Sequence, residues 1–232
     1  MIPSANLAAL CAELLLAAAV LAGCASPEPR YYTLAGSGSA SDAAAGSSSA
    51  RDKEPLMIEV PPVRVPERLN RANLLLGDGK GALKMMEQDR WSAPLPDELR
   101  DALSQRLQAS LGAIDTYYHR DASGVAPLYR VTVEVVRMDA EPGRSAGATI
   151  NWAVQRFPDS KVTAGRTQAE LPAPGGVDSV VAAYQRIVAG TAADIATAIR
   201  SLQQISPAPA ATGHSLARYS QYHIAPEKQE IP

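Results

Sequence analysis

Residues 129–155, YRVTVEVVRMDAEPGRSAGATINWAVQ, decide the fold because they contain two alternating segments joined by a turn. Apolar side chains occupy every second position over 129–135 and again over 150–154, with polar residues or alanine between them. This period is typical of strands that bury one face. The stretch between them, 141–147, is rich in turn residues. The sequence therefore predicts an antiparallel hairpin.

Two amphipathic helices flank this hairpin in the sequence. Over residues 94–111, leucines recur four positions apart, which predicts a helix with one apolar face that Gly112 ends. Over residues 177–202, bulky apolar residues again recur at helical spacing, after a break rich in proline and glycine. Residues 161–171 lie before that break and predict a third strand beside the hairpin.

Strand-like segments also precede the first helix. Residues 56–65 have a β-rich composition, and their two adjacent prolines predict an edge strand or a bulged one. A glycine-rich turn at 77–81 leads into a further strand that ends at Trp91. Together the segments predict an α/β fold, a three-layer sandwich with a mixed, mostly antiparallel sheet of about five strands and two main amphipathic helices.

The 232 residues divide into four predicted regions. These are a lipoprotein signal peptide at 1–23, a flexible tether at 24–54 with a lipidated Cys24, a folded auxiliary domain at 55–205 and a disordered tail at 206–232. The tether and the tail have few bulky apolar side chains to repay the entropy of ordering. Within the tether, residues 30–34 (RYYTL) form an aromatic island, which is either linker or an ordered first strand.

The first 24 residues indicate export and lipid attachment. An apolar run at 14–21 is too short to span a bilayer but suits a signal peptide. It ends in a pattern that resembles a lipobox, made of Leu21, Ala22, Gly23 and Cys24. In such a pattern, the cysteine thiol takes the lipid and becomes the mature N-terminus. The alternative is an ordinary secretory signal in which the cysteine is incidental. The absence of Lys or Arg before the apolar run departs from the usual pattern of a signal peptide.

Charge and metal-binding residues exclude several classes of function. The formal net charge is -2, so no overall positive field attracts nucleic acid. The two cysteines, Cys11 and Cys24, both precede the mature domain. The three histidines, at positions 119, 214 and 223, lack the short spacings of zinc sites. We therefore predict neither a metal nor a cofactor.

No combination of residues predicts catalysis. Residues 143–147 match the G-x-S-x-G pattern around Ser145, but they join two predicted strands, whereas a nucleophile elbow joins a strand to a helix. The carboxylates at positions 87, 89, 97 and 98 have no second catalytic residue type beside them, and we interpret them as solvated. The sequence predicts that the protein is not an enzyme.

The most distinctive stretch of the domain is 88–95, QDRWSAPL, where a charge pair and Trp91 precede a proline-started helix. One interpretation is structural, with Trp91 wedged between strand and helix. The other is a partner-binding site made of Arg90 and Trp91, because arginine and tryptophan are enriched at interface hot spots. The pattern favours the structural interpretation and leaves the second open.

The order of these motifs along the chain resembles that of the PqiC/YmbA family. Members of this family are auxiliary lipoproteins of ABC-type lipid transport systems that contain an MCE protein. The resemblance runs from the lipobox to the end of the second helix near Leu202, and no single motif is diagnostic. The segments that carry it are Cys24, 30–34, 60–66, 69–71 and 89–95.

The resemblance implies a non-enzymatic lipoprotein on the periplasmic face of the outer membrane, with a palmitate-type lipid as its anchor. Its implied partners are an MCE-domain protein and an inner-membrane permease and ATPase complex, which move lipids or other hydrophobic molecules between the two membranes. Its implied role is a docking or scaffold component that supports envelope integrity, either as a single copy or as a homo-oligomer. Ala25 is not the aspartate that retains enterobacterial lipoproteins in the inner membrane, which agrees with this address. The alternative function is an envelope lipoprotein that serves cell-wall or secretion assembly without a transporter.

Overall fold

The computed structural model describes residues 27–36, 55–119 and 127–205, and most of them belong to two sheets and two long helices. The predicted signal peptide, the lipobox with Cys24, most of the tether and the predicted tail lie outside the described residues. In chain order the elements are β1 (Arg30–Tyr32), β2 (Leu56–Glu59), β3 (Asn73–Gly77), β4 (Leu83–Trp91), α1 (Leu95–Leu111), β5 (Ala113–Asp115), β6 (Leu128–Glu141), β7 (Ser145–Phe157), β8 (Val162–Pro172) and α2 (Val177–Gln204). A short 3-10 helix, Glu67–Leu69, precedes β3.

The hairpin predicted from the opening stretch is the longest element of the fold. Strands β6 and β7 pair antiparallel from Leu128 opposite Phe157 to Glu141 opposite Ser145, with one irregularity after Val135. Strand β8 continues the antiparallel meander along β7. The turn between β6 and β7 needs a left-handed residue, which Gly143 supplies at φ 82°. The predicted hairpin and third strand are confirmed.

The large sheet has the strand order β5-β2-β6-β7-β8, and β2 pairs in parallel with both of its neighbours. The prediction of an edge strand was therefore wrong, whereas the predicted bulge agrees with the ladder to β6, which breaks after Glu59 opposite Arg130 and resumes at Arg64 opposite Glu134. Pro61 and Pro62 lie in this interruption, where five positions of one segment (64 - 59 = 5) face four of β6 (134 - 130 = 4). The mixed five-stranded sheet and the two main helices confirm the predicted α/β class.

Helix α2 covers one face of the large sheet because its buried stripe runs the whole length of the helix. The stripe meets the inward side chains of β6 and β7, and α1 packs against α2 beside it. Side chains buried in this core include Tyr129, Val131, Leu95, Leu99, Leu103, Leu107, Ile195 and Ile199. Gly112 ends α1 in the left-handed conformation, as its position in the sequence predicted.

The end of α2 is held by Arg156, which is 2% exposed on β7. Its guanidinium donates to the carbonyl oxygens of Leu202 and Ile205, which have no partner further along the helix. The Asp159 carboxylate binds the other side of the guanidinium, with 3.0 Å between Nε of Arg156 and Oδ1 of Asp159. This hydrogen bond lowers the pKa of Asp159, so the carboxylate stays charged beside the arginine.

A separate three-stranded sheet was not predicted. Strand β4 lies at its centre, with β1 parallel on one side and β3 antiparallel on the other. Residues 30–34 therefore form an ordered strand and its continuation, which resolves the alternative that the sequence left open. Leu34 is fully buried, so part of the range predicted as flexible tether belongs to the fold.

A substitution at Gly165 tests how tightly β7, β8 and α2 pack against one another. A Cβ atom at this position would overlap the Trp152 ring, whose Nε1 donates to Thr167, and Thr167 donates in turn to Asp194 on α2. We expect Gly165→Ala to lower the free energy of unfolding by about 1–3 kcal/mol, because the ring must leave its place. Urea denaturation measures the change.

The matched control is Gly190→Ala, at an exposed position inside α2 where an added Cβ meets no atom within 4 Å. Here we expect stabilisation of about 0.5–1 kcal/mol, since alanine loses less backbone entropy than glycine in a helix. Equal effects of the two substitutions would contradict the proposed overlap.

Candidate functional site at the N-terminal strand

Strand β1 brings the N-terminal part of the chain onto the domain. It runs parallel to β4, with Arg30 opposite Asp89, Tyr31 opposite Arg90 and Tyr32 opposite Trp91. After the strand, the main-chain carbonyl of Thr33 accepts a hydrogen bond from Gln185 on α2. The first strand thus contacts both the small sheet and the long helix.

A buried carboxylate holds the first strand to β4. Asp89 is 3% exposed, and its Oδ1 lies 2.6 Å from Nη2 of Arg30. This contact raises the pKa of Arg30, so the guanidinium stays charged. A carboxylate removed from water is costly unless it is paired, and Arg30 supplies the pairing cation.

Tyr32 extends this contact to the first turn of α2. Its hydroxyl donates to Oδ1 of Asp178 at 2.8 Å and lies 3.3 Å from Oδ1 of Asp89. Burial raises the pKa of Tyr32, and the hydrogen bond and the negative charge of Asp178 raise it further. The phenol therefore keeps its proton at neutral pH and remains a donor.

A second buried carboxylate, that of Glu98, lies in the first turn of α1. Its Oε2 accepts hydrogen bonds from the Leu34 amide at 2.9 Å and the Thr33 hydroxyl at 3.0 Å. Its Oε1 accepts from the Ser92 hydroxyl. The position near the helix N-terminus also favours a negative charge. Glu98 thus joins the residues after β1, the end of β4 and the start of α1.

The interpretation of Asp89 and Glu98 as solvated carboxylates was wrong. Most of their partners come from residues 30–34, which lie more than fifty positions earlier in the chain. These groups come together only in the folded protein, so no local pattern in the sequence predicts their contacts. One signal was present for Glu98, because its spacing from Leu95 and Ala102 puts it on the apolar stripe of α1.

The two predicted partner-binding residues lie on opposite faces of β4. Trp91 is 4% exposed and packs on Tyr184 of α2, with 6.4 Å between the ring centroids. This placement agrees with the structural interpretation. Arg90 points outward with Tyr31, its neighbour across the parallel ladder, which is 62% exposed. Its Nε donates to the Glu87 carbonyl at 3.1 Å, and partner binding by Arg90 stays a prediction.

The G-x-S-x-G stretch has the geometry of a β-hairpin. Ser145 is the first residue of β7, and its hydroxyl donates to Oε1 of Glu170 on β8 at 2.7 Å. The turn before it connects two strands of one sheet, so it does not raise the serine above a helix N-terminus as a nucleophile elbow does. Within residues 27–36, 55–119 and 127–205, no group of three histidine, cysteine or acidic side chains is placed to hold a metal ion.

The face of the large sheet opposite α2 carries an open concavity of about 660 Å³. Small side chains form its floor, and charged and amide side chains surround them. Arg166 on β8 donates from Nε to Oδ1 of Asn151 at 2.8 Å. The concavity is shallow and partly polar, which differs from the enclosed apolar cavities that hold lipids or small ligands.

The fold and this junction define an α/β domain whose first strand is anchored by two buried carboxylates. The family model for the ABC-type transport auxiliary lipoprotein component matches residues 32–196, more than half of the chain, and the chain belongs to that family. The resemblance to PqiC/YmbA-type lipoproteins is thereby confirmed. The match begins at Tyr32, the last residue of β1, and ends within α2, so it covers the junction described above except for Arg30 and Tyr31.

Three solved structures are similar to this chain, and the first of them agrees on the fold. A crystal structure of an uncharacterized protein is similar with a TM-score of 0.57 at 17% identity, over 75% of this chain and 99% of the other. A Xanthomonas campestris protein of unknown-function family 330 has a TM-score of 0.46 at 14% identity, over 65% and 88% of the two chains. A putative lipoprotein from Caulobacter crescentus has a TM-score of 0.33 at 15% identity, over 45% and 82%. No curated protein sequence matches the chain.

None of the helices in the part of the chain that the structure describes is long and apolar enough to cross a membrane.

Glu98 provides a test of the junction. In Glu98→Ala the buried Leu34 amide loses its acceptor, so we expect the free energy of unfolding to fall by about 1–3 kcal/mol. Hydrogen exchange at the Leu34 amide should accelerate as well. The control, Glu87→Ala, removes an exposed carboxylate from β4 and should change stability by less than about 0.5 kcal/mol. Unchanged exchange at Leu34 in Glu98→Ala would contradict the assigned role.

Proposed function

We propose that this protein is an outer-membrane-anchored auxiliary lipoprotein that docks an MCE-type component of an ABC transport system. In this proposal Cys24 carries the lipid, and the folded domain receives the periplasm-spanning partner of an inner-membrane permease and ATPase. The transported molecules are lipids or other hydrophobic compounds. The domain acts as a scaffold and catalyses no reaction.

The observation that carries the proposal is the attachment of β1 to the rest of the domain. Arg30 lies six positions after Cys24 (30 - 24 = 6), and Asp89, Asp178 and Glu98 hold β1 and the residues after it. Six residues reach at most roughly 20 Å, so a lipid on Cys24 would hold the domain close to its membrane. Such an arrangement suits a component that must present one surface to a partner.

The surface that we propose for the partner is the outward face of the small sheet around Tyr31 and Arg90. Tyr31 is an exposed aromatic residue, and Arg90 lies beside it on the neighbouring strand. Aromatic residues and arginine are enriched at the centres of protein interfaces. Trp91 supports this surface from behind, through its contact with Tyr184.

Lipidation is tested with the two cysteines of the chain. We expect metabolic labelling with a palmitate analogue in a bacterial host to modify the wild-type protein and Cys11→Ala. Cys24→Ala should lose the label, because the thiol that accepts the lipid is gone. Mass spectrometry of the mature N-terminus checks the site. Label that persists in Cys24→Ala would refute the assignment.

Docking is tested by site-specific photo-crosslinking in cells that express the full chain. A crosslinker at Tyr31 should capture an MCE-domain protein, and Arg90→Ala should reduce the yield several-fold because it removes a hot-spot contact. Arg186→Ala, an exposed arginine on α2, is the control and should leave the yield unchanged. Capture of a cell-wall or secretion component instead would favour the alternative function.

A further inference from the structure

We propose that the tip of the β3–β4 hairpin contacts the phospholipid bilayer that holds the lipid on Cys24. This inference rests on the lipidation in the proposed function and adds a second, non-covalent membrane contact. The hairpin tip is defined as residues 77–85, and its exposed apolar side chains are Leu83 and Met85.

The direction of β1 is the first argument. Because β1 runs parallel to β4, the chain before Arg30 enters the small sheet from the end at which β4 begins. That end is Leu83, next to the hairpin turn. Leu83 precedes Asp89 by six positions (89 - 83 = 6), and the ladder between β3 and β4 has a register shift between Met85 and Arg90.

The short distance along the chain is the second argument. The structure describes the chain from Pro27 onward, three positions after Cys24 (27 - 24 = 3). Three residues span at most about 11 Å. A bilayer that holds a lipid on Cys24 must therefore lie within a few residues' length of Pro27. In this proposal it lies on the side of the domain that carries the hairpin tip.

The chemistry of the tip is the third argument. Leu83 is 53% exposed and Met85 is 47% exposed, although most large apolar side chains of the domain are buried. Lys80 and Lys84 are exposed beside them, while the Asp78 carboxylate accepts hydrogen bonds from the amides of the turn. Apolar side chains flanked by lysines suit the boundary between acyl chains and anionic headgroups.

The large sheet supplies a matched control position. Gly77 lies against the Ala140 carbonyl, so the hairpin tip is at the end of the sheet where β6 finishes. Val162 is 60% exposed and lies at the other end, because its partner Gln155 pairs with Arg130. The ten positions from Arg130 to Ala140 correspond to roughly 33 Å along a strand. Val162 is therefore equally apolar and exposed, but remote from the proposed contact.

The experiment uses the full chain, purified from membranes in its lipidated form. Because Cys11 leaves with the signal peptide and Cys24 is blocked by lipid, a cysteine introduced at Leu83 or Val162 is the only free thiol. Each variant is labelled with a polarity-sensitive fluorophore and reconstituted into phosphatidylethanolamine and phosphatidylglycerol vesicles that contain nitroxide lipids. We expect a blue shift and quenching for Leu83→Cys, and neither for Val162→Cys.

Four outcomes decide the question once mass spectrometry has identified the lipid and thermal unfolding has shown both variants to be folded. Quenching at Leu83 alone supports the contact. Quenching at neither position, on protein that carries lipid at Cys24, overturns the contact and leaves the proposed lipidation intact. Equal quenching at both positions overturns it as well, since the domain then meets the bilayer without a preferred side. Absence of lipid on Cys24 overturns the lipidation and this inference with it.

Discussion

The carboxylates of Asp89 and Glu98 lie almost out of contact with water, and most of the groups that satisfy them come from residues 30–34. A buried carboxylate without partners is strongly unfavourable, because it loses its hydration and gains nothing in return. The domain therefore requires its N-terminal strand in place. This constraint turns a stretch that looks like linker into part of the fold, and it determines where the chain leaves the domain toward Cys24.

The long β6–β7 hairpin and α2 provide the frame on which this junction rests. Alternating side chains give the hairpin one apolar face, and the buried stripe of α2 covers it. Asp178 in the first turn of α2 accepts a hydrogen bond from Tyr32, while Arg156 satisfies the carbonyls at the other end of the helix. The two ends of the domain thus differ. One carries the first strand and the β3–β4 hairpin, and the other carries the turn between β7 and β8.

The regular elements could be predicted because their patterns are local. The alternation from Tyr129 onward and the leucine spacing of α1 each reflect one face turned toward a core, and the structure has these elements within a few residues of the expected limits. The place of β2 inside the sheet and the existence of a second sheet could not be predicted in this way. Strand order depends on contacts between segments that are distant in sequence, and the residues of a short strand do not indicate which strands it pairs with.

The amino-acid sequence by itself determined the α/β class, the hairpin, the two helices and the resemblance to the transport auxiliary lipoproteins. It did so because periodicity and motif order depend on residues that are close together in the sequence. Only the tertiary structure decided that Trp91 faces Tyr184 while Arg90 faces outward with Tyr31. It also decided that Asp89 and Glu98 are buried anchors for the first strand. Burial of a charged side chain depends on donors that arrive from elsewhere in the chain, and their arrival is a property of the fold alone.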